Sequence, residues 1–191
     1  MHLSDFIKIH DDFITEEQLK DLMGFVKKQN FAEGQVVSDD NTRTLKDNSR
    51  IVDVLCLDPL DENMTNVFWF NIMKKLIKIK YLSYANMFNK NYLYTSGIQP
   101  PQILRYKPGG QHVPHIDSCD MFNRTLSVIV FLNEEYTGGE LVFPKHDNSE
   151  ILLKVDKKPG RCVIFPSNFL FPHTVTPVET GTRNSLVTWI N

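Results

Sequence analysis

Ile103-Leu-Arg-Tyr106-Lys-Pro-Gly-Gly-Gln-His-Val-Pro-His115-Ile-Asp117 is the stretch on which the fold turns. It reads as two short strands around a turn at Pro108-Gly109-Gly110. Residues two apart in a strand share a face. His115 and Asp117 therefore project together, and Ile116 turns away. Downstream, Pro172-His173 brings a second imidazole, and Arg183 follows ten residues later. Two imidazoles and one carboxylate make up the 2-His-1-carboxylate set, which holds Fe(II) on one face and leaves coordination positions open. A closed structural zinc site would take four protein ligands, usually including cysteine. Arg183 is placed to anchor an acidic co-substrate beside such a metal.

His-x-Asp is a weak signal by itself, and the chain carries it twice. The second copy, His10-Asp11-Asp12, sits just before a helix start with no strand-turn-strand frame around it. His115 lies inside such a frame, so the N-terminal copy is expected to be a decoy.

The motifs around His115 resemble the iron-binding segment of the prolyl 4-hydroxylase family of 2-oxoglutarate- and Fe(II)-dependent dioxygenases. The resemblance continues through Arg124-Thr-Leu-Ser-Val-Ile-Val-Phe-Leu-Asn133, Tyr136-Thr-Gly138-Gly139-Glu-Leu-Val-Phe143 and Pro159-Gly160 followed by Phe165. It ends with His173-x-Val-x-Pro177 and Gly181-x-Arg183 before Trp189. All occur in the family's order and near its spacing. About half the chain is covered strongly. The N-terminal Asp11-Asp12-Phe13-Ile14-Thr15-Glu16-Glu17 adds a weaker match to the family's entry into its first helix.

The resemblance implies Fe(II) held by His115, Asp117 and His173, with 2-oxoglutarate and O2 filling the open positions. It implies release of succinate and CO2 on hydroxylation, with ascorbate as reductant. The far carboxylate of 2-oxoglutarate would meet Arg183, whose guanidinium grips a carboxylate through two parallel hydrogen bonds. Tyr106 matches the family tyrosine near the co-substrate, and Ser185, on the strand face of Arg183, can add a hydroxyl. Many collagen-type members carry a lysine in place of Arg183. Phe131 departs from relatives with a tyrosine there, so Ser185 or water would have to replace that phenol. Arg124 matches a position near the substrate mouth, with a plain surface role as its rival. Trp189 is expected in the wall of the site, with a core role as its rival. His112 and His146 are expected not to be ligands, and His112, three residues from His115, should face away from it.

At 191 residues the chain fits one domain, 1–191. Residues 1–98 are read as a helical support region and 99–191 as the jelly-roll core. The net charge of −2 leaves no basic footprint for nucleic acid. The first residues lack a basic then apolar leader, and no run is long enough for a transmembrane helix, so a cytoplasmic, stand-alone enzyme of bacterial or viral type with no membrane partner is expected. Cys56, Cys119 and Cys162 are odd in number and form no C-x-x-C, which argues against a disulfide framework. Cys119, two residues past Asp117, is either an oxidation-sensitive thiol near iron or an ordinary structural cysteine.

Thr15-Glu16-Glu17-Gln18 reads as a capping box, and Leu19, Leu22, Met23 and Val26 follow at helical spacing, predicting a helix that ends near Asn30. The polar segment 34–48 reads as a loop, either a substrate-side flap or a surface excursion. Arg50-Ile51-Val52-Asp53-Val54-Leu55 alternates like one strand. Glu62 to Ser83 predicts a long helix whose lysines face solvent. Tyr81, Tyr84, Phe88, Tyr92 and Tyr94 form an aromatic link suited to core packing or to a peptide-facing wall. Eight strands follow, near 101–107, 111–118, 124–133, 140–144, 150–155, 161–166, 172–178 and 183–190. Together they predict an α+β fold, a double-stranded β-helix (jelly roll, cupin-like) barrel supported by N-terminal helices. In 124–133 the even positions Leu126, Val128, Val130 and Leu132 should meet the helices, and the odd positions should line the cavity.

The expected function is a 2-oxoglutarate- and Fe(II)-dependent prolyl 4-hydroxylase acting on proline within a peptide or protein. The rivals are the same chemistry on a free amino acid or other small molecule, a jelly roll that binds metal and ligand without catalysis, and a purely structural jelly roll of lectin or capsid type. Retention of all three ligands together with Arg183 favours the enzyme.

Overall fold

The computed structural model describes residues 2–37, 43–44, 48–88, 93, 95–119, 122–145 and 150–191. A short 3-10 helix, Leu3–Phe6, leads into β1 (Lys8–His10) and α1 (Glu16–Val26). Short strands follow: β2 (Ala32–Glu33), β3 (Val36–Val37), β4 (Arg43–Thr44), β5 (Arg50–Ile51) and β6 (Asp53–Cys56). The long α2 (Met64–Ala85) comes next. The remainder is β7 (Gln102–Tyr106), β8 (Gln111–His115), β9 (Leu126–Phe131), β10 (Tyr136–Gly138), β11 (Leu141–Pro144) and β12 (Ile151–Val155). It closes with β13 (Cys162–Pro166), β14 (His173–Val175), β15 (Val178–Gly181) and β16 (Arg183–Ile190).

Two main sheets carry the architecture. One has seven strands in the order β1-β13-β9-β16-β7-β6-β2, the other five in the order β12-β11-β14-β8-β5. Two small pairs, β10-β15 and β3-β4, complete the description. Residues 1–98 thus supply β1, β2 and β6 to the first sheet and β5 to the second, as well as both helices. No helix among the described residues is long and apolar enough to cross a membrane.

α1 begins where the sequence places it. Thr15 Oγ1 accepts from the Gln18 N–H at 3.2 Å, and Gln18 Oε1 accepts from the Thr15 N–H at 3.3 Å. The helix stops at Val26 rather than near Asn30, because Lys28 and Gln29 donate to carbonyls only three residues back and tighten the last turn. α2 is capped by Asn63, whose Oδ1 accepts from the Thr65 N–H at 3.0 Å. Its buried Trp69, Phe70, Met73, Ile77 and Tyr84 fall on one stripe. That stripe packs with Leu22 and Val26 of α1 against Ile103, Leu126, Val128, Val130, Leu132, Ile164 and Leu186 on one face of the seven-stranded sheet. The alternation in β9 is therefore the expected one, with even positions beneath the helices. Tyr81, Tyr84 and Phe88 serve this same packing, whereas Tyr92 and Tyr94 lie outside the described residues.

The opposite face of that sheet meets the five-stranded sheet in a second core. Leu104, Tyr106, Ile129, Phe131, Phe165 and Val187 pack there with Leu141, Phe143 and Val175. The Phe143 and Phe165 rings join the sheets edge to face, with centroids 4.8 Å apart.

The strand reading needs four changes. Arg50 to Leu55 is two strands, not one: β5 pairs with β8 and β6 with β7, so the chain crosses between sheets at the buried Val52. The 172–178 strand splits into β14 and β15 around Pro177, which has no N–H to donate to a ladder. β10 was not anticipated, although the Gly138-Gly139 turn beside it was. Both glycines have positive φ, 67° and 59°, and a Cβ on Gly138 would lie 2.2 Å from the Pro177 carbonyl. Finally, 34–48 includes the antiparallel pair β3-β4, with 38–42 and 45–47 outside the described residues.

Met73 is fully buried between α2 and the sheet. Met73→Ala should destabilise the fold by about 2–5 kcal/mol, the usual cost of such a cavity, and urea unfolding of the two proteins gives the difference directly.

Candidate functional site

The site lies where the two sheets face each other. β8 and β14 are neighbours, and His115 and His173 sit directly opposite in the ladder. Asp117 follows two residues past the end of β8, in a bend, instead of continuing the strand. The metal-binding atoms of His115, Asp117 and His173 all lie within 4.8 Å of one another. His115 Nε2 is 3.8 Å from Asp117 Oδ1, and His173 Nε2 is 3.4 Å from Asp117 Oδ2.

The protonation pattern follows from the backbone. His115 Nδ1 lies 2.8 Å from the Val113 carbonyl, and His173 Nδ1 lies 3.2 Å from the Phe171 carbonyl. A carbonyl only accepts, so each Nδ1 carries a hydrogen, and each Nε2 is turned toward Asp117. Burial, reinforced by His173, pushes the His115 pKa down to about 3, which keeps that ring neutral. Burial opposes ionisation of Asp117, but the two imidazoles and a hydrogen bond from Ser127 outweigh it and hold the carboxyl below its ordinary value. The two Nε2 atoms and the carboxylate thus converge as three donors of the kind a cation takes. This donor set fits Fe(II): imidazole and carboxylate, no thiolate, three ligands.

A cavity of about 700 Å³ opens onto the triad. Tyr106, Arg183, Ser185, Ile129, Val187 and Trp189 line it from the seven-stranded sheet. Arg183 is 1% exposed, and its NH1 donates to Ser185 Oγ at 2.6 Å. Among the described residues its Nε and NH2 make no hydrogen bond of good geometry, and the Tyr136 hydroxyl is the polar group beside them. Tyr106 is the cross-strand partner of Arg183, and Ser185 is the cross-strand partner of Phe131. The hydroxyl missing from Phe131 thus has Ser185 as its immediate neighbour. The guanidinium carbon stands 5.1 Å from the Tyr106 ring centroid and 5.3 Å from that of Phe131. Burial pushes the Tyr106 phenol up, so it remains a donor.

Other expectations resolve differently. In the β8–β14 ladder, Val175 faces His112 while His173 faces His115. Two steps along β14 therefore answer three along β8, which is a bulge. The extra residue brings His112 round to the side of His115, where the rings stack with centroids 3.4 Å apart. The expectation that His112 faces away is wrong for this reason, although His112 is not among the three converging ligands. His146 lies outside the described residues. Arg124 lines the cavity. It lies 3.5 Å over Trp189 and donates to the Asp117 carbonyl at 3.3 Å and to Gln99 Oε1 at 3.3 Å. Trp189 is both buried and in the cavity wall, and Cys119 is exposed at its edge.

Four contributors were not read from sequence. Ser127 and Ser167 hydrogen-bond around Asp117. Tyr136 buries its hydroxyl beside Arg183. Arg50 lines the cavity from β5. Only Ser127 carried a signal, as an inward-facing polar residue in an otherwise apolar strand.

Residues 101–191 match the 2OG-Fe(II) oxygenase superfamily. A PKHD-type hydroxylase of Crocosphaera subtropica is 29% identical over 193 residues, covering 95% of this chain and 76% of that protein. By these matches the chain is similar to the 2OG-Fe(II) oxygenases, and its enzyme class is a 2-oxoglutarate- and Fe(II)-dependent dioxygenase. The oxygenase shares its fold with a prolyl hydroxylase from Trichoplax adhaerens, solved in complex with a peptide fragment of the hypoxia inducible factor oxygen degradation domain. There the TM-score is 0.76 at 20% identity, covering 98% of this chain and 84% of that one. A Pseudomonas putida prolyl-4-hydroxylase gives a TM-score of 0.73 at 20% identity, with coverage of 97% and 92%. Fe(II), 2-oxoglutarate and O2 are its cofactor and co-substrates.

The His10-Asp11-Asp12 copy stays apart from this chemistry. Asp11 pairs with Lys158 and Arg161, Asp12 pairs with Lys80, and none of the three N-terminal residues lines the cavity of the triad. His10→Ala and Asp12→Ala should each leave oxygenase turnover at the wild-type level, measured as succinate released from 2-oxoglutarate.

Proposed function

We propose that this oxygenase is a prolyl 4-hydroxylase acting on proline within a peptide or protein, built as a single double-stranded β-helix domain. His115, Asp117 and His173 hold Fe(II); Arg183, Ser185 and Tyr106 bind 2-oxoglutarate. The observation that carries this reading is one cavity lined both by the converging donor atoms of His115, Asp117 and His173 and by the buried guanidinium of Arg183.

When bound, Fe(II) with O2 and 2-oxoglutarate supplies the oxidising chemistry, yielding succinate, CO2 and a hydroxylated C–H bond. The chain's own residues do the positioning. Arg183 offers its Nε and NH2 to the far carboxylate, in a setting where a charge-assisted bond is strong because water is excluded. Ser185 fixes the guanidinium plane through NH1. The Tyr106 phenol adds a neutral donor. Trp189, Ile129 and Val187 wall the cavity with apolar surface and limit the water that reaches it.

The peptide preference has two supports. The cavity continues beyond the triad to Ala32 and Glu33 on β2, the edge strand of its sheet, and to Phe122 on the other side. That is more room than 2-oxoglutarate and one small amino acid require. The Trichoplax enzyme, which shares the fold, was solved with a peptide. An extended proline-rich segment loses little conformational freedom on lying in such a groove.

Replacing His115, Asp117 or His173 with Ala should abolish Fe(II)-dependent turnover in a protein that still folds. Arg183→Ala should raise the apparent KM for 2-oxoglutarate roughly thirty- to several-thousand-fold, corresponding to about 2–5 kcal/mol for a lost buried charge pair. Arg183→Lys should recover part of that loss. Steady-state succinate assays with Fe(II) and ascorbate measure both effects, and unchanged KM in Arg183→Ala would place the anchor elsewhere.

For the substrate, short proline-containing peptides should gain one oxygen atom by mass, coupled to succinate release, while free L-proline gives neither. Coupled turnover on free proline alone would refute the peptide reading. Oxidation at another residue would refute the prolyl one and leave the iron and 2-oxoglutarate roles standing.

A further inference from the structure

We propose that Ser127 and Ser167 form a two-hydroxyl relay that positions the Asp117 carboxylate for metal binding. The proposal rests on the reading of His115, Asp117 and His173 as the Fe(II) ligands and adds two positioning residues behind them. Ser127 Oγ lies 2.6 Å from Asp117 Oδ2 and 2.7 Å from Ser167 Oγ. Ser127 is 0% exposed and Ser167 1%, so bulk water reaches neither hydroxyl.

The direction of the relay follows from counting protons. An ionised carboxylate only accepts, so Ser127 must spend its single hydroxyl proton on Asp117. Ser127 then has only lone pairs to offer, and Ser167 must be the donor in the bond between the serines. The chain of donation runs from Ser167 through Ser127 to Asp117. A hydroxyl that accepts one hydrogen bond donates a stronger one, so Ser167 reinforces the bond that reaches the carboxylate.

The location explains why such a relay is needed. Asp117 lies beyond the end of β8 and has no ladder to hold it. Its N–H and that of Ser118 donate instead to the Ser167 carbonyl, at 3.2 and 3.0 Å. Ser127 belongs to β9 in the seven-stranded sheet, while Asp117 hangs from the five-stranded sheet. The relay therefore links the sheets at the metal site. Its short bond reaches Oδ2, the oxygen that lies 3.4 Å from His173 Nε2.

The test is Mn(II) binding to metal-free wild type, Ser127→Ala, Ser167→Ala and the double variant. Free Mn(II) is followed by electron paramagnetic resonance, and thermal unfolding of each metal-free protein checks the fold. Ser127→Ala should raise the Mn(II) Kd roughly 10- to 100-fold, the usual consequence of removing a ligand's hydrogen-bond partner. Ser167→Ala should raise it by a smaller factor. The double variant should match Ser127→Ala, because Ser167 acts through Ser127. Wild-type affinity in a folded Ser127→Ala protein would overturn the proposal, as would independent, multiplying effects of the two serines. If Ser127→Ala fails to fold, Ser167→Ala decides alone: unchanged Mn(II) affinity overturns the relay, and weakened affinity in a folded protein supports it. A wild-type protein that binds no Mn(II) would overturn the metal-site reading itself, and the relay with it.

Discussion

A carboxylate held between two imidazoles, inside a protein and away from water, is the constraint on which this structure depends. Each part of it is set by backbone. The β8–β14 pairing puts His115 opposite His173. The Val113 and Phe171 carbonyls fix both rings with Nδ1 protonated and Nε2 turned inward. The bend after β8 swings Asp117 between them. Three donor atoms of the set therefore converge on one point. The surrounding cores keep the set from relaxing, because Phe143 and Phe165 pack against the His173 ring on the side away from the cavity mouth and leave the imidazole little room to turn.

The two sheets divide the work. The five-stranded sheet presents the two imidazoles, with the carboxylate just beyond its β8 strand. The seven-stranded sheet presents Arg183, Ser185 and Tyr106 from adjacent strands. The distance from metal to anchor is therefore a property of how the sheets pack, not of any loop. The helices matter at one remove. By covering the outer face of the seven-stranded sheet with Met73, Ile77 and Leu22, they bury β9 and β16 on both faces, and every residue of both strands is buried. A guanidinium on so deeply buried a strand is rigid, which suits the proposed role of meeting a small dianion in one orientation.

Much of this was legible in the sequence because it depends on short-range pattern. The capping box at Thr15 and the alternation of Leu126, Val128, Val130 and Leu132 report local geometry that packing then used unchanged, whereas Asp117 reaches His115 through a bend rather than the strand its spacing suggested. What stayed hidden depends on register between strands distant in sequence. His112 reads as facing away under a strict period of two, and one extra residue in β8 reverses that. Arg50 to Leu55 alternates smoothly, yet the chain changes sheets at Val52. Ser167 carries no pattern of its own. It follows β13 by one residue, and only the meeting of β13, β9 and the bend after β8 brings its carbonyl and hydroxyl to Asp117. Tyr136 is hidden for the same reason: β10 reaches Arg183 only through its pairing with β15.

The two halves of the site also explain each other. Asp117 and Arg183 are opposite charges lining one cavity, and both are nearly inaccessible to water. Burying either alone is expensive, and the cheapest remedy for a folding chain would be an ion pair between them. No such pair forms: Asp117 is engaged by Ser127 and the two histidines, and Arg183 by Ser185. The sheets hold the charges apart and leave each short of a partner. A divalent cation satisfies the first deficit and a carboxylate the second. A molecule that chelates the metal at one end and presents a carboxylate at the other satisfies both at once, which is the shape of 2-oxoglutarate. Under the proposed roles of Asp117 and Arg183, binding of such a molecule would return the stability forgone by keeping the two charges apart.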